Sequence, residues 1–227
     1  MCASTSTIDR EYDAIVFDND GVLIERTDRK RLVEAFHNSF NEFDVTPDDA
    51  FVRCCVHEGR VPTDEIRDRY GLDPEEWWPR HEAHATAVQQ ADIRTGRKAL
   101  YSDVDAIRDL THTLGLVSNN QHETIEFILN HHGLANRFET YYGREPTVVG
   151  ANRKKPNPHY INRALNDLDT GTALYVGDSE KDVIAAERAG IDSAFLRREH
   201  RLDLTLSTEP TYEFSDLRSL VDELTSM

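Results

Sequence analysis

The sequence predicts an α/β protein: a mostly parallel β-sheet with helices on both faces and an inserted helical lobe. Three observations carry this. The apolar, β-branched run "YDAIVF" near the N-terminus ends in an acidic turn, "DNDG". Roughly seventy residues of helical periodicity follow, with no strand among them. From about residue 99, apolar runs and amphipathic helical runs alternate to the C-terminus. Such alternation is the pattern of βα units, whose crossovers cover both faces of a parallel sheet.

The helical stretch divides at its caps and breakers. "TDRKRLVEAFHNSFNEF" places Leu32, Val33, Phe36, Phe40 and Phe43 at helical spacing. "TPDDAFVRCCVHEG" offers Thr46 as an N-cap, Pro47 at the first helical position and Gly59 near the end. "TDEIRDRYG" reads as a short helix closed by Gly71. In "DPEEWWPRHEAHATAVQQ", Asp73 can cap, Pro74 fits the first turn and Glu76 stands where a capping-box acid belongs, with Pro79 expected to kink or delay the helix.

Beyond residue 99, "SDVDAIRDLTHT" reads as a helix and "LGLVSN" as a buried strand. "QHETIEFILNHHG" is a helix ended by Gly133, and "RFETYYG" a strand. "NPHYINRALNDL" is helical, "TALYVGD" a strand, "EKDVIAAERAG" a helix closed by Gly190 and "DSAFLR" a strand. "TYEF" and "SDLRSLVDEL" supply a last strand and helix. The lobe is expected to span 25–97, and the α/β core 1–24 and 98–227.

Composition narrows the function. A formal charge of −16 argues against nucleic acid or an anionic membrane as partner. No apolar run is long enough to span a bilayer, and "MCASTSTIDREYD" lacks the regions of a signal peptide. A soluble cytoplasmic protein is expected. Cys2, Cys54 and Cys55 offer neither a disulfide framework nor a C-x-x-C pair. Only five of 26 basic residues are Lys, and Asp outnumbers Glu 23 to 19. That balance suits a surface kept soluble in concentrated salt, as in a halophilic source.

The strand ends carry the chemistry, because in open α/β sheets they converge on one crevice. Asp18 and Asp20 follow the first strand, and Ser118, Asn119 and Asn120 follow the second. Asp178 and Asp182 follow the fourth, and "RKKPNPHY" supplies Lys154 and Lys155. Asp and Gly also make ordinary turns, and Ser and Asn ordinary caps. Four carboxylates in one crevice, however, repel one another strongly unless a divalent cation is shared. A hydroxyl and a lysine beside them suit an anionic phosphoryl group.

These stretches, in order, resemble the four motifs of the haloacid-dehalogenase-like hydrolase superfamily. "DNDGVL" is similar to the first, "VSNN" to the second, "KKPNP" to the third and "GDSEKD" to the fourth. The resemblance covers nearly the whole chain and implies a Rossmann-like core, with the helical lobe as a cap. It implies a Mg²⁺-dependent phosphatase acting on a small phosphate ester, as phosphoglycolate phosphatases do. By resemblance, Asp18 is the nucleophile, and Asp20 is the acid for the leaving alcohol and then the base for water. Ser118 and the backbone N–H groups of Asn19 and Asn119 cradle the phosphate, and Lys155 holds Asp18 and phosphate together. Asp18, the backbone carbonyl of Asp20 and Asp178 hold Mg²⁺, with Asp182 ordering their surroundings.

Two departures from the family pattern stand out. Asn19 replaces an apolar residue, and Glu25 and Arg26 replace an acidic and a small residue beside the cap hinge. A carboxyl at Asp20 argues against a dehalogenase. A sugar-phosphate mutase shares all four motifs and stays open as an alternative. A phosphonate hydrolase would need a cap lysine, and only Lys30, with Lys98 near the return hinge, is available. A non-catalytic binding protein would be expected to lack one of the motif residues. Arg53, His57 and Arg60 read as a solvated face, His81 and His84 as surface histidines, and Trp77 and Trp78 as packing at the lobe's edge.

Overall fold

The computed structural model describes residues 7–226, so Cys2 and the start of the N-terminal segment lie outside the described residues. Six strands form one sheet: β1 (Ala14–Phe17), β2 (Thr113–Gln121), β3 (Thr140–Arg144), β4 (Ala173–Gly177), β5 (Asp192–Leu196) and β6 (Tyr212–Phe214). Their spatial order is β3-β2-β1-β4-β5-β6, and every pairing is parallel. β1 and β4 are buried along their whole length, which is why they read as unbroken apolar runs. The order reverses direction between them, so their carboxyl ends open onto a crevice.

Side chains of β1 alternate between two cores. Ile15 and Phe17 pack on the face covered by α5 (His122–His131) and α9 (Leu217–Thr225), with Ile125, Leu129, Leu217 and Leu220. Ala14 and Val16 face α7 (His159–Asp167) and α8 (Glu180–Ala189), with Tyr160, Ile161, Ala185 and Ala186. Helices therefore cover both faces, as the alternation predicts.

Four helices lie between β1 and β2: α1 (Arg29–Asn41), α2 (Asp49–Glu58), α3 (Thr63–Tyr70) and α4 (Pro74–Arg94). They share a largely aromatic core of Phe36, Phe40, Phe51, Trp77 and Trp78, with Ile66. A five-residue helix that the sequence reading does not anticipate, α6 (Val148–Asn152), adds Val148 and Ala151 to it. The chain leaves for this segment and returns side by side. Glu25 N–H donates to Ala99 O at 2.9 Å, Tyr101 N–H to Leu23 O at 3.0 Å, and Ile24 and Leu100 form an antiparallel bridge.

Several local expectations are corrected. α2 is capped by Asp48, whose carboxylate accepts from Phe51 N–H at 2.9 Å, and not by Thr46. α4 begins at Pro74 and runs through Pro79, so Pro79 does not delay it. "SDVDAIRDLTHT" forms only a 3-10 turn over Val104–Asp109. Trp77 and Trp78 lie inside the aromatic core and not at its edge, and His81 is buried against Trp77, not on the surface. His84 instead pairs with Glu42 at 2.7 Å. Among the described residues, no helix is long and apolar enough to cross a membrane.

Candidate active site

The ends of β1, β2 and β4 and the turn before α7 bring the sequence-predicted residues together. Gly21 allows the tight return after β1. Its φ is +87°, and a Cβ there would stand 2.4 Å from Asp178 Oδ2, so only glycine lets this loop pack against the end of β4. Three carboxylates, Asp18, Asp178 and Asp182, are buried with one oxygen of each within 4.8 Å of the others.

Lys155 sits among them, 2% exposed. Its Nζ lies 2.9 Å from Asp18 Oδ1 and 2.6 Å from Asp182 Oδ1, and it donates to Tyr175 OH at 2.6 Å and Val117 O at 3.1 Å. Burial alone would lower the lysine, but the charges of Asp18 and Asp182 outweigh it and raise it well above its ordinary value. Burial pushes the Asp18 carboxyl up, against the pull of Lys155 and with the repulsion of Asp182 and Asp178. The side chain of Asn119 fixes the lysine's backbone, accepting from Lys155 N–H at 2.7 Å and donating to Lys155 O at 3.0 Å. Lys154 points elsewhere and donates to Gly59 O at the end of α2.

Asp182 also closes a capping box at the start of α8, where Oδ2 accepts from Ser179 N–H at 3.0 Å and its hydroxyl at 2.6 Å. Asp178 Oδ2 is met by His200 Nε2 at 2.7 Å and Arg201 Nε at 2.9 Å. Burial opposes them, but this pair holds the Asp178 carboxyl below the usual range. Ser118 Oγ accepts from Asn120 N–H at 3.1 Å.

Asp20 has a separate setting. Lys98 Nζ donates to its Oδ1, and Asn120 and Asn19 donate to its Oδ2 at 2.9 and 3.1 Å. Burial raises this carboxyl, yet Lys98 outweighs that and keeps it low. Asp18 and Asp20 thus share one strand end without sharing partners. Both line a cavity of about 300 Å³ with Ser118 and Asn119. Arg26, Arg29, His57 and Arg144 are also part of its lining. His57 is therefore not part of a merely solvated face, whereas Arg53 pairs with Asp49 and Arg60 with Glu58 and Glu65.

Lys98, Tyr175, His200 and Arg201 are among the residues whose place in the site the sequence does not announce. Only Lys98 carries a signal, its scarcity as one of five lysines in the chain. The buried all-carboxylate donor set fits a hard divalent cation such as Mg²⁺, which takes oxygen ligands.

The sequence pattern of the family described as "Haloacid dehalogenase-like hydrolase" matches residues 15–196. The chain belongs to this family. It is an enzyme of the hydrolase class, with phosphatases among its relatives. The pyrophosphatase PpaX of Bacillus velezensis is 26% identical over 228 residues, covering 94% of this chain and 96% of that protein. A phosphoglycolate phosphatase of Rhodobacter capsulatus is 28% identical over 160 residues, 67% of this chain and 70% of that one. Among solved structures, CbbY from Rhodobacter sphaeroides in complex with phosphate superposes with a TM-score of 0.69 at 19% identity, covering 94% and 99% of the two chains. A superfamily hydrolase from Geobacter sulfurreducens gives 0.59 at 18%, covering 94% and 96%. These structures share the α/β fold with the parallel sheet described above.

Proposed function

We propose that this hydrolase is a Mg²⁺-dependent phosphatase that cleaves a small soluble phosphate monoester. The observation that carries the reading is that Asp18 and Asp20 line one cavity with separate partners, Asp18 beside Lys155 and Asp20 beside Lys98 and Asn120. Asp18, beside Lys155, attacks phosphorus in line and forms an aspartyl-phosphate while the bond to the leaving oxygen breaks. Asp20 supplies the proton to that oxygen and then takes one from the water that hydrolyses the intermediate. Ser118, Lys155 and the backbone N–H groups of Asn19 and Asn119 hold the phosphoryl oxygens. Asp18, Asp178 and the backbone carbonyl of Asp20 would hold Mg²⁺, with Asp182 alongside. The cation would neutralise charge on the transferring group.

Residues 25–97 act as a cap over the core made of 1–24 and 98–227. Arg26, Arg29 and His57 reach the cavity from the hinge and from α1 and α2, which supports a substrate whose far end is anionic, as in phosphoglycolate. The enzyme needs no nucleic acid or membrane partner and works in the cytoplasm of a salt-adapted cell. A sugar-phosphate mutase is the second reading, supported by the motifs it shares.

The test is phosphate release from a panel of small phosphate esters with and without Mg²⁺ in concentrated KCl, for wild type and Asp18→Asn. Metal-dependent release that falls at least about a hundredfold in the variant is expected. Folded, metal-bound wild type that releases no phosphate but interconverts sugar phosphates would establish the mutase instead.

A further inference from the structure

Lys98 is a lysine that the proposed chemistry leaves unassigned. It lies four residues beyond the end of α4, where the chain returns to the sheet, and is 2% exposed. Its Nζ donates to Asp20 Oδ1, to Thr27 Oγ1 at 2.8 Å and to Gln89 Oε1 at 2.9 Å. Three donors meet three acceptors, which completes the hydrogen bonding of an ammonium. Those acceptors come from three places: the end of β1, the outgoing hinge and α4.

The arrangement around Asp20 is equally specific. An ionised carboxylate offers about four acceptor positions. Oδ2 accepts from Asn120 and Asn19, and Oδ1 from Lys98. One position on Oδ1 remains, on a residue that lines the cavity. Every hydrogen bond to this carboxylate comes from an N–H donor, which holds both oxygens in place and leaves the open position of Oδ1 to meet a water.

We propose that Lys98 is a positioning residue for the hydrolytic half of the reaction, aiming Asp20 Oδ1 as the base for the attacking water. This rests on the phosphatase reading above. In the step concerned, the water oxygen bonds to phosphorus as its proton passes to Asp20. The bond between phosphorus and the Asp18 oxygen breaks, and its electron pair returns to the Asp18 carboxylate. Lys98 exchanges nothing in that step. It fixes where the accepting oxygen stands and ties that position to both sides of the hinge.

The measurement is rapid mixing of the Mg²⁺-loaded enzyme with p-nitrophenyl phosphate, following p-nitrophenolate and phosphate separately. The first product reports formation of the phospho-enzyme, in which a good leaving group needs little help, and the second reports its hydrolysis. For Lys98→Met the steady-state rate should fall about tenfold or more, a part of the roughly 10²–10⁴-fold that general acid–base catalysis contributes. The initial burst of p-nitrophenolate should keep its rate within about twofold and approach one equivalent per enzyme. Lys98→Arg should recover part of the loss. A Lys98→Met enzyme that slows burst and steady state equally, or changes neither, would overturn the assignment. Should Lys98→Met fail to fold by circular dichroism, Thr27→Val takes its place, removing one of the lysine's supports at nearly constant volume. A drop of about threefold in steady state with an unchanged burst is then expected, and equal changes or none would overturn the proposal. Wild type inert toward every ester would remove the phosphatase reading itself, an outcome distinct from an active wild type indifferent to Lys98.

Discussion

At position 81 an imidazole occupies a place suited to an aromatic ring. His81 stacks on Trp77 at 5.2 Å with the planes 7° apart and lies 4.3 Å from Phe36. Burial first, then the charges of Arg144 and His84, lower its pKa from 6.5 to about 3. Between those values the unfolded chain binds a proton that the folded chain refuses, so stability falls as the pH drops through this window and is intact above it. The cost at pH 4.5 is on the order of 3 kcal/mol for a shift of this kind. Urea unfolding at pH 7.5 and 4.5 should show that His81→Phe loses less stability on acidification than wild type. The same scale shows what was legible in the chain. Asp18, Asp20, Ser118, Asp178 and Asp182 sit within a few residues of strand ends, so local pattern places them. The partner of Asp20, 78 residues away at Lys98, is fixed by tertiary packing, and so are Tyr175 on Lys155 and His200 on Asp178. Nothing local announces them.

Among the elements, type was easier to read than boundary. The start of α2 offers two capping residues, Thr46 and Asp48, on either side of a proline, and propensity favours neither decisively. Tertiary structure decides. Tyr70 OH, at the end of α3, accepts from Asp48 N–H at 3.2 Å and so holds the residue in the extended conformation of a cap. Replacing Asp48 by Ala should therefore cost about 1 kcal/mol. Thr46→Ala should change the urea midpoint by much less, and the reverse ranking would show that the helix starts earlier. α6 is invisible to a periodicity reading because five residues are too few to show one. The run from Val104 to Asp109 reads as an α-helix because a short 3-10 helix shares the apolar i, i+3 spacing.

For the molecule as a whole, charge is the dominant unspent variable. With 42 acidic against 26 basic residues, self-repulsion destabilises the compact state at low ionic strength and is screened as salt is added. The melting temperature should rise by several degrees between about 0.1 M and about 2 M KCl, where the Debye length falls from ~10 Å to a few Å. A flat or falling curve in calorimetry would count against salt adaptation. The overall architecture was legible because its signal repeats, each βα unit stating the same pattern again. How the helical segment leans on the sheet is written only in single contacts, such as Glu82 with Arg144 and Gln89 with Asn120.

The bridge between Ile24 and Leu100 also bears on descent. Everything between those residues departs from and rejoins the sheet at one spot. A gene could lengthen, shorten or exchange that passage without displacing a strand, since the entropy of closing such an excursion grows only with the logarithm of its length. New substrates could then be acquired by splicing, while the residues that break the bond stay where they are.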